Sequence, residues 1–261
     1  KRNPHLLGND VFGIGVGVLM KQYAVISDIH GNVTALKAVL QDIRQRGIDE
    51  ILCLGDLVGK GPNSAEAADI CREACSVIIQ GNWDENIVNE DIQLEEVLWH
   101  RSQLGETRLT FLKTLPFLYD FNIGETPVRL FHASQLGNRT RVFMNDSYEK
   151  HIAMFESTVF TGNHFIPKVV GYGDIHSVFM KNMRGKMLFN AGSVGNPLDI
   201  NQSSYVILRE NPSNNTEDFP DLSFIRVAYD IEEELRIAKR TGMPGFSEYQ
   251  QELRTARYRG R

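Results

Sequence analysis

The sequence predicts an α/β fold, with parallel strands first and a second, antiparallel sheet after them, and three observations carry that prediction. Short apolar runs over 23–26, 51–54 and 77–79 alternate with segments of helical periodicity. Each run stops at an acid or an amide beside a glycine: Asp28-Ile29-His30-Gly31, Gly55-Asp56 and Gly81-Asn82. From residue 177 onward, strand-like runs follow one another with little helix between them.

The first strand, Tyr23-Ala24-Val25-Ile26, is apolar and β-branched enough to be covered on both faces. Asp28 and His30, two apart at its end, can point the same way, either as a hydrogen-bonded turn or as a pair of metal ligands. Asn32 is a suitable N-cap for a helix carrying Val33, Leu36, Val39, Leu40 and Ile43, which Gly47 ends. The run over 51–54 leads through Gly55-Asp56 into the loop Gly59-Lys60-Gly61-Pro62. Asn63 or Ser64 then caps a helix with Ala65, Ala68, Ile70 and Cys71 on its apolar side. Three successive strand ends thus offer Asp28/His30, Asp56 and Asn82, where parallel sheets place their ligand sites.

Residues 90–116 read as two helices capping the site, with Val97, Leu98, Leu109, Leu112 and Leu115 as core candidates. Within them, Trp99-His100-Arg101 reads as a helix boundary surface, with substrate contact as the alternative. A fourth strand over 128–131 runs into His132-Ala133-Ser134, and a fifth over 158–160 into Gly162-Asn163-His164. Between them a helix over 148–155 carries His151 as a surface or packing residue. Strands follow over 177–180, 186–190, 204–208 and 222–228, then a charged helix over 231–240 and a polar helix or tail over 247–261. Residues 211–221 read as an exposed loop, in which Asn214-Asn215-Thr216 matches a glycosylation acceptor pattern by chance. Residues 1–19 read as an upstream extension before Met20, leaving one domain over 20–261.

A chain of 261 residues with 42% hydrophobic and 23% charged residues is ordinary for a soluble globular protein. Its net charge of -5 argues against a nucleic-acid or anionic-membrane binder, which would need a basic face. No stable nucleic-acid complex and no membrane association are expected; self-association is left open. Cys53, Cys71 and Cys75 read as packing residues in a reducing, cytoplasmic setting.

The ordered set Asp28-Ile29-His30, Gly55-Asp56, Gly81-Asn82-Trp83-Asp84, Phe131-His132-Ala133 and Asn190-Ala191-Gly192-Ser193-Val194-Gly195 resembles the motif series of the calcineurin-like metallophosphoesterases, in particular their small prokaryotic phosphodiesterase-like branch. The resemblance implies a four-layer αββα sandwich of two mixed sheets holding two divalent ions, with Mn, Fe or Zn suited to mixed Asp, His and Asn ligation. It implies that Asp28 and His30 hold one ion, Asn82 and His132 the other, and that Asp56 bridges them. The implied activity is hydrolysis of phosphodiesters or nucleotide polyphosphates by hydroxide held between the ions, with Asp56, Asn82 and His132 as the catalytic group.

Two departures stand out. The family's Gly-His-Asn-acid motif has Trp83 in place of its histidine, and an indole cannot protonate a leaving alkoxide, so good leaving groups are expected to be favoured. The family's Gly-His-Thr-His motif aligns with Gly162-Asn163-His164-Phe165, placing a ligand at Asn163 and losing one at Phe165. Rescue then falls to His164, to water, or to His176 from elsewhere. This second departure also supports an alternative, a catalytically weakened member that binds a nucleotide or a protein. Trp83, Arg139 and Arg141 are the substrate-binding candidates, with Lys60 less prominent; the arginines could clamp a phosphate.

Overall fold

The computed structural model describes residues 20–211 and 219–260. The segment 1–19 and the Asn214-Asn215-Thr216 pattern lie outside the described residues. The strands are β1 (Gln22–Ile26), β2 (Glu50–Cys53), β3 (Val77–Ile78), β4 (Leu118–Ile123), β5 (Thr126–Phe131), β6 (Val169–Tyr172), β7 (Val178–Met183), β8 (Lys186–Ala191), β9 (Ser203–Arg209) and β10 (Asp221–Val227). The helices are α1 (Val33–Gln45), α2 (Ser64–Ala74), α3 (Asn82–Val88), α4 (Glu95–Lys113), α5 (Tyr148–Ala153), α6 (Ile231–Thr241) and α7 (Phe246–Thr255), followed by a 3₁₀ turn at Tyr258–Gly260.

Two mixed five-stranded sheets with flanking helices make an α/β sandwich. One sheet has the order β10-β9-β1-β2-β3 and the other β4-β5-β6-β8-β7. The side-chain alternation of the strands accounts for the layering. Ala24, Ile26, Ile51, Cys53, Tyr205 and Ile207 face the core shared with α1 and α2. Their neighbours Val25, Leu52, Leu54, Val206 and Leu208 face the second sheet, where Val128, Leu130, Val170, Leu188 and Phe189 meet them. Strand β1 needs apolar residues at Ala24, Val25 and Ile26 because both of its faces are covered there.

Several expectations are corrected. Residues 158–160 form a turn, with Val159 95% exposed, and the strand next in line is β6. Gly171 hides that strand in the sequence, yet it is required there: a Cβ would collide with the Phe189 ring and with Leu130. The late strands do not build a separate antiparallel sheet. β9 pairs antiparallel with β1 and with β10 in the first sheet, while β8 pairs parallel with β6 and antiparallel with β7 in the second. Strand β4, absent from the expectation, forms the outer edge by pairing with β5. The helical segment α4 is interrupted at Gly105, whose backbone angles of 66° and 165° break it into two, and Leu98 on it is exposed.

Asn32 caps α1 by accepting from the Ala35 N–H. Cys53 and Cys71 are buried and Cys75 half-buried; hydrogen bonds from Cys53 and Cys71 pull the Cys75 thiol down to about 5. His151 is buried, its Nε2 2.9 Å from the Phe143 carbonyl. No helix among the described residues is long and apolar enough to cross a membrane.

The two sheets are tied together beside the carboxyl ends of β1 and β8. Val194 and Gly195 N–H groups donate to the Ser27 and Asp28 carbonyls, both at 2.9 Å. A Cβ on Gly195 would strike the Ile29 carbonyl oxygen, whereas one on Gly47 meets nothing within 4 Å. Gly195→Ala is therefore expected to lower stability by about 2 kcal/mol or more through overpacking. Gly47→Ala, strained only by its left-handed φ of 68°, is expected to cost about 1–2 kcal/mol. Chemical denaturation of the two variants side by side checks the order; equal losses would refute the close-approach argument.

Candidate metal centre

The strand ends deliver their polar residues through an unusual backbone. Asp28 (φ 53°), His30 (φ 49°), Asp56 (φ 52°), Asp174 (φ 62°) and His176 (φ 58°) all adopt the left-handed conformation without being glycine. Such residues are strained, by roughly 1–2 kcal/mol each, and cluster at functional sites. Backbone bonds hold them: Asp28 N–H to the Gly55 carbonyl at 3.0 Å, His30 N–H to Asp56 at 2.8 Å, and Gly173 N–H to His132 at 2.8 Å. The triplet Asp-Ile-His occurs twice, as Asp28-Ile29-His30 after β1 and as Asp174-Ile175-His176 after β6, with both polar residues left-handed each time.

These side chains converge into one buried cluster. His30 Nε2 lies 3.1 Å from His176 Nε2, 3.7 Å from Asp28 Oδ1 and 3.5 Å from Asp56 Oδ2. His176 Nε2 is 3.2 Å from Asp28 Oδ1. On the other side, His132 Nε2 lies 3.5 Å from Asp56 Oδ1, 3.9 Å from Asp174 Oδ1 and 3.4 Å from the Asn82 amide nitrogen. The Asn82 amide donates to Asp174 Oδ1 at 2.7 Å. Asp56, with one oxygen toward each histidine group, stands between the two halves.

The protons of this cluster can be placed by elimination. Nδ1 of His30, His132 and His176 faces the carbonyl oxygens of Val58, Leu54 and Asn196, which can only accept, so each Nδ1 carries a proton. In the neutral rings every Nε2 is then a bare lone pair directed inward, the tautomer that metal-ligating histidines use. His176 Nε2 cannot donate to Asp28 in that state, and Asp28 Oδ1 is buried without a hydrogen-bond partner. Two lone pairs 3.1 Å apart beside an unpartnered carboxylate oxygen are stable only with positive charge among them. The donor set Asp28, His30 and His176, and the set Asp28, Asp56 and His132, both fit a cation.

Charge shifts reflect the same crowding. Burial, the Lys60 ammonium and His176 push His30 well below the usual imidazole range. Burial opposes the charged form of His132 as well, but the Asp56, Asp28 and Asp174 carboxylates outweigh it and raise His132 to about 9. Burial and the neighbouring Asp28 and Asp84 carboxylates drive Asp56 well upward. Asp84, raised to about 6 by burial, accepts from the Asp56, Leu57 and Gly81 N–H groups and so fixes the turn that presents Asp56.

Of the residues expected at the site, Asp28, His30, Asp56, Asn82 and His132 are brought together. Asn163 and His164 are not: both are exposed, on a loop held from behind by Arg129, which donates to the Thr161 and Phe165 carbonyls at 3.4 and 3.3 Å. Asp174 and His176, after β6, are the pair that the fold brings to the cluster in their stead. The repeated Asp-Ile-His triplet was the signal that could have found it.

Trp83 borders the cluster, its ring edge-on to His30 at 6.2 Å and its backbone N–H donating to Asp56 Oδ1 at 2.8 Å. Behind it lies buried His100, held by burial down to about 4 and 3.0 Å from Ser64 Oγ. His100 is therefore buried beneath the cleft floor and not a helix surface residue. Arg141 reaches Asp174 at 3.2 Å, whereas Arg139 is turned to Glu85 and Asn86. Lys60 donates to Asn196 Oδ1 at 2.8 Å. The cluster opens into a cleft with two connected lobes, of about 640 and 320 Å³, which share Lys60, Asn82, Trp83, Arg141 and Tyr258.

A strand-end cluster of aspartates, histidines and one asparagine between two mixed sheets defines a class, and the sequence comparison agrees. Residues 21–212 match the calcineurin-like phosphoesterase superfamily domain, and the chain belongs to that family. An uncharacterized protein of Methanocaldococcus jannaschii is 34% identical over 222 residues, covering 80% of this chain and 88% of the relative. Among solved structures, a metallophosphoesterase from Sphaerobacter thermophilus superposes with a TM-score of 0.72 at 22% identity, covering 91% of this chain and 99% of the other. A hypothetical protein from Pyrococcus horikoshii does so with a TM-score of 0.72 at 18% identity, covering 90% and 98%. Both share the fold.

Metal content separates the two possible ligand loops. His176→Ala is expected to weaken divalent-ion binding by about 10–100-fold or more, since even outer partners of metal ligands cost that much. His164→Ala is expected to leave it unchanged. Calorimetric titration of the metal-stripped variants with Mn²⁺ measures both; weakening by His164→Ala would return the ligand role to the exposed loop.

Proposed function

We propose that this protein is a metal-dependent hydrolase of phosphate esters, acting on phosphodiesters or nucleotide polyphosphates. The observation that carries the reading is the buried pairing of His30 and His176 Nε2 lone pairs beside the unpartnered Asp28 oxygen. Asp28, His30 and His176 would hold one divalent ion, and Asn82, His132 and Asp174 a second, with Asp56 shared between them. The mixture of carboxylate, amide and imidazole donors suits Mn, Fe or Zn. Such ions, when bound, supply Lewis-acid stabilisation of the phosphoryl oxygens and acidify water near neutral pH.

The chain's own residues would do the rest. Arg141, 55% exposed and already paired with Asp174, is placed to turn its remaining donors to a phosphoryl oxygen at the mouth of the cluster. Trp83 shields one side of the site and offers no titratable proton. The alternative of a binding-only member rested on the loss of a ligand at Phe165, and that support falls away because Phe165 lies outside the cluster. A soluble cytoplasmic setting suits the three free cysteines.

Purified protein is expected to hydrolyse bis-p-nitrophenyl phosphate when Mn²⁺ is added, and Asp56→Ala to lose on the order of 10²-fold or more in kcat. Absence of turnover across Mn, Fe, Zn, Co and Ni would sink the proposal. Without an acid at position 83, kcat/KM for an alkyl monoester such as glycerol phosphate is expected to fall about 10²-fold or more below that for an aryl diester. Similar values for the two substrates would show that another group supplies the proton.

A further inference from the structure

The two lobes of the cleft differ in chemistry. One is walled by Glu96, Glu248, Arg139 and Arg259 and is the larger. The other is walled by Phe143, Ile175 and Leu198 against the metal cluster. They join at Asn82 and Trp83, beside the residues that would hold the ions. A phosphomonoester has one organic substituent and would leave one lobe unused; a phosphodiester has two, diverging from the phosphorus in different directions.

The polar lobe is completed by residues outside the family-matched region. Glu248, Tyr258 and Arg259 come from α7 and the 3₁₀ turn after it. This segment is firmly anchored: Tyr249 OH donates to Glu234 Oε1 at 3.1 Å, and Thr34 of α1 donates to Glu234 Oε2 at 2.6 Å. Lys60 ties it to the cluster, lying 3.7 Å from Glu252 and 5.9 Å from the centre of the Tyr258 ring. The wall therefore offers an exposed aromatic face, carboxylates able to accept from hydroxyl and amino groups, and a guanidinium over the Tyr258 ring at 5.4 Å. Its volume of about 640 Å³ is that of a small-molecule site.

We infer that the substrate is an asymmetric phosphodiester whose nucleoside occupies the polar lobe formed by α7 and Tyr258–Gly260, and whose second, less polar substituent occupies the Phe143–Leu198 lobe. Tyr258 and Trp83 present flat surfaces to the base, and Glu248 and Glu96 accept from sugar hydroxyls or a base amine. This rests on the phosphoesterase reading and adds to it the selectivity of the C-terminal segment.

The test compares two p-nitrophenyl esters that share a leaving group, adenosine 5′-(p-nitrophenyl phosphate) and methyl p-nitrophenyl phosphate, with Mn²⁺. Wild type is expected to favour the adenosine ester in kcat/KM by at least about tenfold. The double variant Glu248→Gln/Arg259→Ala, both exposed positions, is expected to erase that preference through KM for the adenosine ester. Phe143→Ala is expected to lower kcat/KM for both esters alike. No preference in wild type, or a preference that survives the double variant, overturns the inference. If neither ester is turned over, the phosphoesterase reading has failed, and calorimetric binding of AMP decides the lobe separately: binding at least tenfold weaker in the double variant supports the lobe assignment, and equal binding overturns it.

Discussion

The structure depends on burying three carboxylates and three imidazoles at one junction between two sheets. Asp28, Asp56 and Asp174 are each 5% exposed or less, as are His30, His132 and His176. Charges so placed repel each other in a medium of low dielectric and must be compensated on the spot. Hydrogen bonds do part of this: Ser27 Oγ and the Asp174 N–H both donate to Asp28 Oδ2, at 2.6 and 3.0 Å. The remaining lone pairs point at one another, and it is this residue of uncompensated charge that makes the junction a candidate cation site.

The compensation requires a rigid frame, which the backbone supplies. Each Asp-Ile-His turn buries its isoleucine and directs its two polar side chains inward, and this is what the left-handed backbone at both positions achieves. The close approach of Gly195 to Ile29, and of Gly81 to Asp56, leaves no room for the Asp28–His30 turn or the Asp56 turn to relax. Strain is thereby stored in the same residues whose donors face the cluster, consistent with a preorganised site. Local backbone cost is offset by the packing of the whole sandwich behind it.

Much of this was legible in the sequence. The ends of β1, β2, β3 and β5 could be read because each is a mostly apolar run that leads within two residues to a glycine or a ligand type. β6 was not, because Gly171 interrupts its apolar pattern for a reason visible only in three dimensions, the Phe189 ring filling the space of its side chain. The competing run Val159-Phe160 was attractive on hydrophobicity alone, but it is too short and ends on an exposed turn, where Phe160, 55% exposed, meets the Phe117 ring at 5.4 Å. The assignment of β9 and β10 to the first sheet depends on long-range pairing that local pattern does not encode.

The division of the chain follows from these constraints. Residues 21–212 contain every side chain of the cluster, because the ligands must sit on strand ends fixed by the sandwich. α7 and the turn after it contribute to the cleft only as a wall, tied to α1 through Glu234 and to the site through Lys60. A change in the wall can alter what fits beside the cluster without disturbing the buried charges, since no ligand-bearing turn depends on α7 for its backbone hydrogen bonds. The C-terminal part of the wall and the buried cluster are thus carried by different stretches of the sequence, and Lys60, in the loop after Asp56, is the point where they touch.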